Sequence, residues 1–191
     1  MVDLPPTAAW RHLGARDGFE VLFTRRETDG YHLDGHSTAV EDGEAWGISY
    51  TLTLDASWAT RSAHIVGRSA SAAREVRLEG DGRGEWLLDG RPSPQIAGCL
   101  DVDLEASAFT NALPVHRLAL DVGQRADAPA AYVRALDLSV DRLEQSYSRL
   151  EDEGRQSRYD YVAPRFDYRD ELVYDEFGLV LEYPGIAVRV A

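Results

Sequence analysis

The sequence predicts a mainly β fold: a large, strongly curved antiparallel sheet, or a barrel-like β fold, with one or two short helical segments. Most of the chain alternates apolar and polar residues with a period of two, which is typical of half-buried strands. Gly-containing turn signals interrupt this pattern about every ten to fifteen residues. A fold built from strands must protect its edges, and a closed or curled sheet does so while enclosing an interior that can become a ligand cavity.

The clearest strand is residues 45–55, AWGISYTLTLD. Small and hydroxylated residues occupy one face. The other face carries large apolar side chains, namely Trp46, Ile48, Tyr50, Leu52 and Leu54. Phe19, Val21 and Phe23 alternate in the same way, which predicts a second half-buried strand with these three side chains on its apolar face.

Turns are expected where glycine follows or surrounds aspartate, because glycine adopts positive φ angles at little cost. These signals are Asp29-Gly30, Asp42-Gly43, Gly80-Asp81-Gly82-Arg83-Gly84 and Asp89-Gly90. Residues 175–178, DEFG, lie between two apolar runs and predict a four-residue hairpin loop.

Helix is scarce. Residues 105–113, EASAFTNAL, predict one or two helical turns that end before Pro114. The run 137–152 has partial helical spacing and also a tolerable strand pattern. We interpret it as strand, because a strand would continue the β meander.

Composition narrows the function classes. The 191-residue chain is interpreted as a single domain over residues 1–191, with an ordered core of about residues 10–190. Its net charge of −13 repels nucleic-acid phosphates and anionic membrane surfaces, so nucleic acid is not an expected partner. The sequence lacks a long apolar run, and its N-terminus lacks a signal-peptide pattern, so a cytoplasmic location is expected.

Familiar catalytic and cofactor motifs are missing from the sequence: it has no GxGxxG, Walker, GxSxG or HExxH pattern and no lysine. Cys99 is the single cysteine, so neither an internal disulfide nor a cysteine-based zinc site is possible. No metal or cofactor is therefore expected, and a non-enzymatic protein is favoured. The oligomeric state stays open, a dimer included.

The segment 98–118, GCLDVDLEASAFTNALPVHRL, is the densest in reactive side chains. As a strand, it places Asp101 and Asp103 on the same face as Cys99, with the two aspartates about 6.5 Å apart. Such a pair can bind a metal, share acid/base work or accept sugar hydroxyls. A solvated outer face is the simpler interpretation, and Cys99 is expected to be a small buried residue.

Other residues add candidate ligand contacts, each with a structural alternative. Arg117 can hold a phosphate or carboxylate, or pair with one of the aspartates. Thr110 and Asn111 can present hydrogen-bonding groups to a ligand, or cap the local helix.

Aromatic residues could contact a sugar or another amphiphilic ligand. Trp58 and Arg61 together can stack on and hydrogen-bond a sugar; alternatively, Trp58 is a core residue with Arg61 over its ring. Tyr147 belongs to a set of residues with aromatic faces and polar tips that suit amphiphilic ligands, and also suit any half-buried strand.

The chain contains a series of segments, in this order: Trp10, Gly18 with Glu20, YTLTLDASWATR, GEWLLDG, the 98–118 segment, Tyr132-Val133, EQSY, YDY and DEFGLVLEYPG. This series resembles a bacterial family of unknown function that is named for glycolipid binding. The resemblance runs from Trp10 to Gly185 and is most specific in 98–118, which is similar to a family pattern GCxDVDLxxTPFTNTLPIRRL.

The chain departs from the family pattern in places. Ser107-Ala108 replaces Thr-Pro, Ala112 replaces Thr, and His116 stands where arginine is common. The resemblance implies an almost all-β fold with a large curved sheet and a lipid-sized cavity. It carries over no established catalytic or binding residues.

Three functional hypotheses follow. The first is a non-enzymatic protein that holds a glycolipid or another amphiphile in a β-lined cavity, with its polar head oriented by Arg61, Asp101, Asp103, Asn111 and Arg117. The second is an enzyme of glycolipid or carbohydrate metabolism that uses Asp101 and Asp103 as acid/base groups and Arg117 as electrostatic support. The third is a scaffold that uses an exposed strand edge.

Overall fold

The computed structural model describes residues 3–191; Met1 and Val2, which begin the N-terminal segment considered above, lie outside the described residues. The first half of the chain forms β1 (Thr7–His12), β2 (Arg16–Glu27), β3 (Gly30–Glu41), β4 (Glu44–Asp55), β5 (Thr60–Ser69), β6 (Ala73–Gly80), β7 (Trp86–Leu88), β8 (Arg91–Pro92) and β9 (Asp101–Leu104). The α-helix α1 (Ala112–Leu118) follows. The second half forms β10 (Arg125–Asp127), β11 (Ala130–Val133), β12 (Val140–Leu143), β13 (Ser146–Arg149), β14 (Ser157–Ala163), β15 (Tyr168–Tyr174), β16 (Val180–Tyr183) and β17 (Ala187–Arg189).

Fourteen of these strands form one antiparallel sheet, so the predicted mainly β fold is confirmed. The strand order is β10-β13-β14-β15-β16-β17-β1-β2-β3-β4-β5-β6-β7-β8. Within the described chain, the edge strands β8 and β10 do not pair with each other, so the sheet is open. Both edge strands are only two or three residues long, which limits the backbone available for pairing with another chain.

The large sheet curls around the 98–118 segment, because strands from both of its halves reach that segment. From the first half, Trp86 donates from its indole Nε1 to the carbonyl of Cys99 at 2.8 Å. From the second half, the Tyr174 hydroxyl donates to the carbonyl of Asn111 at 3.2 Å. Strands at opposite ends of the sheet thus share one buried core with this segment.

A second, three-stranded sheet lies in this interior, in the order β12-β11-β9. β9 and β11 run parallel, and all four residues of each strand are buried, as is usual for parallel strands. The interpretation of Asp101 and Asp103 as a solvated outer face is therefore wrong: their side chains lie inside the protein. Cys99 is buried as expected, and burial raises the pKa of its thiol to about 11.

The two strands predicted from alternation differ in outcome. In β4, all five large apolar side chains from Trp46 to Leu54 are buried, as predicted. In β2, the strand is present but Phe19 and Phe23 point outward, with exposed fractions of 51% and 48%. The buried face carries Glu20 and Leu22 instead, because Glu20 finds hydrogen-bond donors in the interior.

Most of the turn predictions hold. Asp42 and Gly43 join β3 to β4 with φ angles of 50° and 80°, and Asp175 begins the loop between β15 and β16, where its backbone N–H donates to the carbonyl of Leu179. Gly30 and Gly80 were expected to adopt positive φ and do not. They are strand residues that a neighbouring backbone approaches: a Cβ on Gly30 would lie 1.9 Å from the carbonyl oxygen of Leu54.

The helix lies later in the chain than predicted. A short 3₁₀ turn, Phe109–Asn111, leads into α1, which contains Pro114 in its first turn. A proline is tolerated there because the first backbone N–H groups of a helix have no intrahelical partner. Residues 137–152 form β12 and β13 rather than helix, as predicted.

Candidate functional site

A cavity of about 290 Å³ opens at one end of the curled sheet, between the β1–β2 and β16–β17 turns and the interior segment. Its polar lining consists of Arg16, Glu41, Asp103, Glu105, Ser107 and Asn111. Aromatic rings are provided by Tyr132, Tyr161, Phe166, Tyr168 and Tyr183. The aliphatic lining consists of Leu13, Ala15, Leu104, Leu143, Ala163 and Ile186, with Gly185. A mostly apolar wall with a few polar groups is typical of ligand pockets.

Asp103 is the carboxylate that β9 places in this pocket. Its exposed fraction is 7%, and its Oδ1 accepts a hydrogen bond from the Thr110 hydroxyl at 3.0 Å. Burial raises the pKa of the Asp103 carboxyl to about 6, against the opposing effect of this hydrogen bond. A buried ionisable group with a shifted pKa in a pocket is a recognised mark of a functional site.

Asn111 reaches the same pocket from the 3₁₀ turn. Its Oδ1 accepts a hydrogen bond from the Tyr147 hydroxyl at 2.9 Å. Neither Asn111 nor Ala108 caps its helix with a side-chain hydrogen bond, so the capping role expected for this region is wrong for Asn111. Tyr147 is fully buried and packs against Tyr161, whose ring lines the pocket.

Asp101 does not line the pocket, because its carboxylate is occupied by Arg117. Arg117 donates from Nε to Oδ1 at 2.9 Å and from a terminal nitrogen to Oδ2 at 2.6 Å. This two-point ion pair links α1 to β9. The exposed fraction of the side chain is 14% for Arg117 and 1% for Asp101. Of the two alternatives for Arg117, the structural bridge is the one observed.

Trp58 and Arg61 also lie outside the lining of the pocket. Trp58 is buried and stacks on His116, with ring centroids 3.7 Å apart and an interplanar angle of 6°. A terminal guanidinium nitrogen of Arg61 lies 3.7 Å from a carboxylate oxygen of Asp55, and the Arg61 side chain is 45% exposed. The Trp58 ring is therefore a core ring covered by His116, and the expected stacking of Arg61 over it is not what the structure shows.

Glu20 fixes the loop that carries Ser107 to the pocket. Its carboxylate is fully buried and accepts hydrogen bonds from the hydroxyls of Tyr50 and Ser107 and from the backbone N–H of Ala108. Burial raises the pKa of Glu20, while these hydrogen bonds oppose the rise. The β2 strand thus anchors the 107–109 segment from a distance of almost ninety residues in sequence.

At the mouth of the pocket, Arg16 forms hydrogen bonds with Glu41 and Glu105, the other two acidic residues of the lining. It donates to Glu41 Oε2 at 3.0 Å, to Glu105 Oε1 at 2.8 Å and to the Glu105 carbonyl at 2.6 Å. Sequence reasoning missed all three residues, because they come together from positions 25 to 89 residues apart. Of the aromatic lining, Tyr132, Tyr161 and Tyr183 belong to segments that carry the family resemblance.

Across residues 3–191, His, Cys, Asp and Glu side chains form no group of three or more that could hold a metal ion. None of the helices within that range is long and apolar enough to cross a membrane.

The sequence matches the model of a family described as "Putative glycolipid-binding" over residues 7–189. This chain belongs to that glycolipid-binding family. A solved structure from Pseudomonas aeruginosa, described as a DUF1089 family protein, is 34% identical with a TM-score of 0.75, covering 90% of this chain and 92% of that one. Comparison with curated proteins gives no match.

A more distant structure shows a similar fold alone. It is a β-barrel-like protein of domain of unknown function DUF1849 from Brucella abortus, 12% identical with a TM-score of 0.54. The alignment covers 99% of this chain and 96% of that chain.

Several motif positions of the glycolipid-binding family now have a structural explanation. Trp10 donates from its indole Nε1 to the Val180 carbonyl at 2.7 Å, which links β1 to the β15–β16 hairpin. Gly18 allows close packing of β3, since a Cβ there would lie 1.8 Å from the Thr38 carbonyl oxygen. Ser107, where the family pattern has threonine, supplies a hydroxyl to Glu20.

Proposed function

We propose that this protein binds an amphiphilic ligand, glycolipid or lipid-like, in the 290 Å³ pocket and does not transform it. The observation that carries the proposal is the pocket itself: an apolar and aromatic wall with a small set of convergent polar groups, in a chain of the glycolipid-binding family. Asp103 and Asn111 contact the polar head of the ligand. Thr110 and Tyr147 hold those two side chains in place.

The size of the pocket indicates which part of the ligand it takes. Ligand pockets usually measure about 300–1,000 Å³, so this cavity, at about 290 Å³, lies just below that range. It suits a sugar-sized head with the first carbons of a chain. The remainder of a long chain would leave through the mouth, past Leu13 and Ile186.

The position of Asp101 favours binding over catalysis. A two-carboxylate mechanism requires both aspartates of β9 to reach the ligand. Both oxygens of Asp101 instead accept hydrogen bonds from Arg117, and Asp101 is not part of the pocket lining. This leaves Asp103 without its expected catalytic partner.

Native mass spectrometry with organic extraction tests the proposal on protein purified from a bacterial host and then incubated with a mixed bacterial lipid extract. We expect a bound species of lipid or glycolipid mass, recovered unchanged. Ala15→Trp should reduce the bound fraction at least about fivefold, because Ala15 is exposed at the pocket and a large ring there blocks the mouth. Ala45→Trp, at an exposed position of β4 that is not part of the pocket lining, is the matched control.

A persistently ligand-free mass, or equal loading of both tryptophan variants, would contradict the proposal. Recovery of a chemically altered lipid would instead support the enzyme alternative.

A further inference from the structure

The charged residues that line the pocket are unevenly balanced. Glu41, Asp103 and Glu105 are acidic, while Arg16 is the one cation in the lining formed by residues 3–191. The lining therefore carries a net negative charge when its carboxyls are ionised. A pocket of this sign repels an anionic head group and attracts a cationic one.

Arg16 is not available to hold an anion. Its side chain is only 16% exposed, and its Nε and both terminal nitrogens already donate to Glu41 or Glu105. A phosphate or carboxylate could replace these partners only by leaving Glu41 and Glu105 beside it as unpaired like charges. The guanidinium thus fastens the mouth of the pocket and offers no free cationic site.

Asp103, by contrast, has a free acceptor. It is more than nine-tenths buried, and Oδ1 accepts the hydrogen bond from Thr110. Among residues 3–191, no hydrogen bond reaches the other oxygen, Oδ2. Because Asp103 belongs to the lining, this oxygen is an open acceptor that a ligand in the cavity can satisfy.

The aromatic side chains around Asp103 suit a positive charge as well as an apolar face. Tyr132, Tyr161, Phe166, Tyr168 and Tyr183 line the same cavity. The faces of such rings attract cations, an effect that grows when the cation is desolvated. An open carboxylate beside several rings is a combination that recognises an ammonium group.

We propose that the pocket selects ligands whose polar head carries a positive charge, such as the ammonium group of an amino sugar, over neutral and anionic counterparts. This rests on the proposed function, since it names the head-group class that the same pocket takes. The protein's net charge of −13 would also favour the approach of cationic ligands.

The ionisation of Asp103 gives the selectivity a pH dependence. The acidic groups that affect it are Asp101 and Glu105, and the phenols of Tyr132, Tyr147, Tyr161, Tyr174 and Tyr183 surround it from β11, β13, β14, β15 and β16. The pKa of Asp103 is about 6, so its carboxylate is mostly ionised at neutral pH. Affinity for a cation should fall as the pH drops below that value, while affinity for a neutral ligand changes little.

Three octyl glycosides with a cationic, a neutral and an anionic sugar test the proposal: octyl 2-amino-2-deoxyglucoside, octyl glucoside and octyl glucuronide. Isothermal titration calorimetry at about pH 7 keeps the sugar amine largely protonated. We expect the amine to bind about tenfold more tightly than octyl glucoside, with the glucuronide weakest. The preference for the amine should decline between about pH 7 and about pH 5.

Asp103→Asn should abolish the preference while octyl glucoside still binds. Asp29→Asn, which removes the same charge from an exposed turn outside the pocket, should retain it. If Asp103→Asn fails to fold, the pH dependence of the amine preference in the wild-type protein tests the role of Asp103 instead.

Equal affinity for the amine and octyl glucoside, or preference for the glucuronide, overturns the inference. The proposed function survives that result if Ala15→Trp still blocks octyl glucoside. If none of the three glycosides binds, the inference and the glycolipid form of the proposed function both fail.

Discussion

Glu20 is a fully buried carboxylate on β2 whose hydrogen bonds hold the 107–109 segment. Glu20→Gln would replace one acceptor oxygen with an amide NH₂, which would face either the hydroxyl donors or the Ala108 N–H. We expect a loss of about 2–4 kcal/mol in the free energy of unfolding, measured by urea titration. Glu27→Gln, at an exposed position of the same strand, should change it by less than about 0.5 kcal/mol. Similar small effects for both variants would mean that the Glu20 contacts contribute little.

Asp103 should make stability depend on pH in a direction opposite to that of a salt-bridged aspartate. Its pKa is raised from 3.8 to about 6 in the folded state, chiefly by burial. The folded protein therefore binds this proton more tightly than the unfolded chain, so the contribution of Asp103 to stability is present at low pH and is lost as the pH rises through that interval.

Comparison with Asp103→Asn isolates this contribution, because the other carboxyls titrate in both proteins. Between about pH 4 and about pH 7, the wild type should lose on the order of 2–3 kcal/mol of unfolding free energy relative to the variant. Urea unfolding at several pH values measures the difference. A difference that does not vary with pH would show that Asp103 is not desolvated as described.

At the scale of secondary-structure elements, the contact of α1 with β9 depends on the Arg117–Asp101 pair. Arg117→Gln would leave Asp101 buried without its cation, so we expect a loss of about 3–5 kcal/mol in unfolding free energy. Adding Asp101→Asn should recover part of that loss, because the unpaired buried charge is then removed. Chemical denaturation of the two single variants and the double variant measures the coupling.

Arg169 and Asp160 offer a matched control, with the same two-point geometry at 2.9 Å but 72% exposure of the arginine side chain. Arg169→Gln should cost less than about 1 kcal/mol. If Arg117→Gln and Arg169→Gln lowered the free energy of unfolding equally, burial would not explain the contribution of the Arg117–Asp101 pair.

The elements that could be predicted from the sequence are those whose local pattern agrees with their tertiary setting. β4 has large apolar residues on one face and small polar ones on the other, and its orientation was predicted correctly. β2 carries Phe19 and Phe23 on its outer face, while its inner face includes Glu20. Alternation gives the period of such a strand, but partners distant in sequence decide which face is buried.

The candidate site was predictable in part for the same reason. Asp103 and Asn111 were found because they belong to one dense segment, and the structure places both at the pocket. Arg16 and Glu41 lie in no motif, and Glu105, although a member of the dense segment, was missed because its partner Arg16 is 89 residues away in sequence. Asp101 belongs to the dense segment too, but it does not line the pocket. Its carboxylate instead pairs with Arg117 of α1.

At the scale of the whole molecule, the sheet is held together by a seam between the first and last strands. β17 lies between β16 and β1, and it pairs with both. Removal of residues 186–191 would leave the two halves of the sheet without this connection. We expect a loss of more than about 4 kcal/mol, or of the cooperative transition, in thermal and urea unfolding.

A synthetic peptide of residues 184–191 should restore part of the stability of the truncated protein, because it supplies the missing strand in trans. An unchanged urea midpoint after truncation would contradict the role of the seam.

The same seam brings residue 191 beside β1, since the Ala9 N–H donates to the Ala191 carbonyl at 2.9 Å. A linker from residue 191 to the start of β1 could therefore connect these two strands, with a new opening placed after β9 and α1, in the exposed loop before β10. In such a circular permutant, the fourteen strands of the large sheet would follow one another in the chain nearly as they do in space, from β10 at one edge to β8 at the other. The large sheet is thus close to a meander in space, with the first and last strands of the sequence paired side by side in its middle.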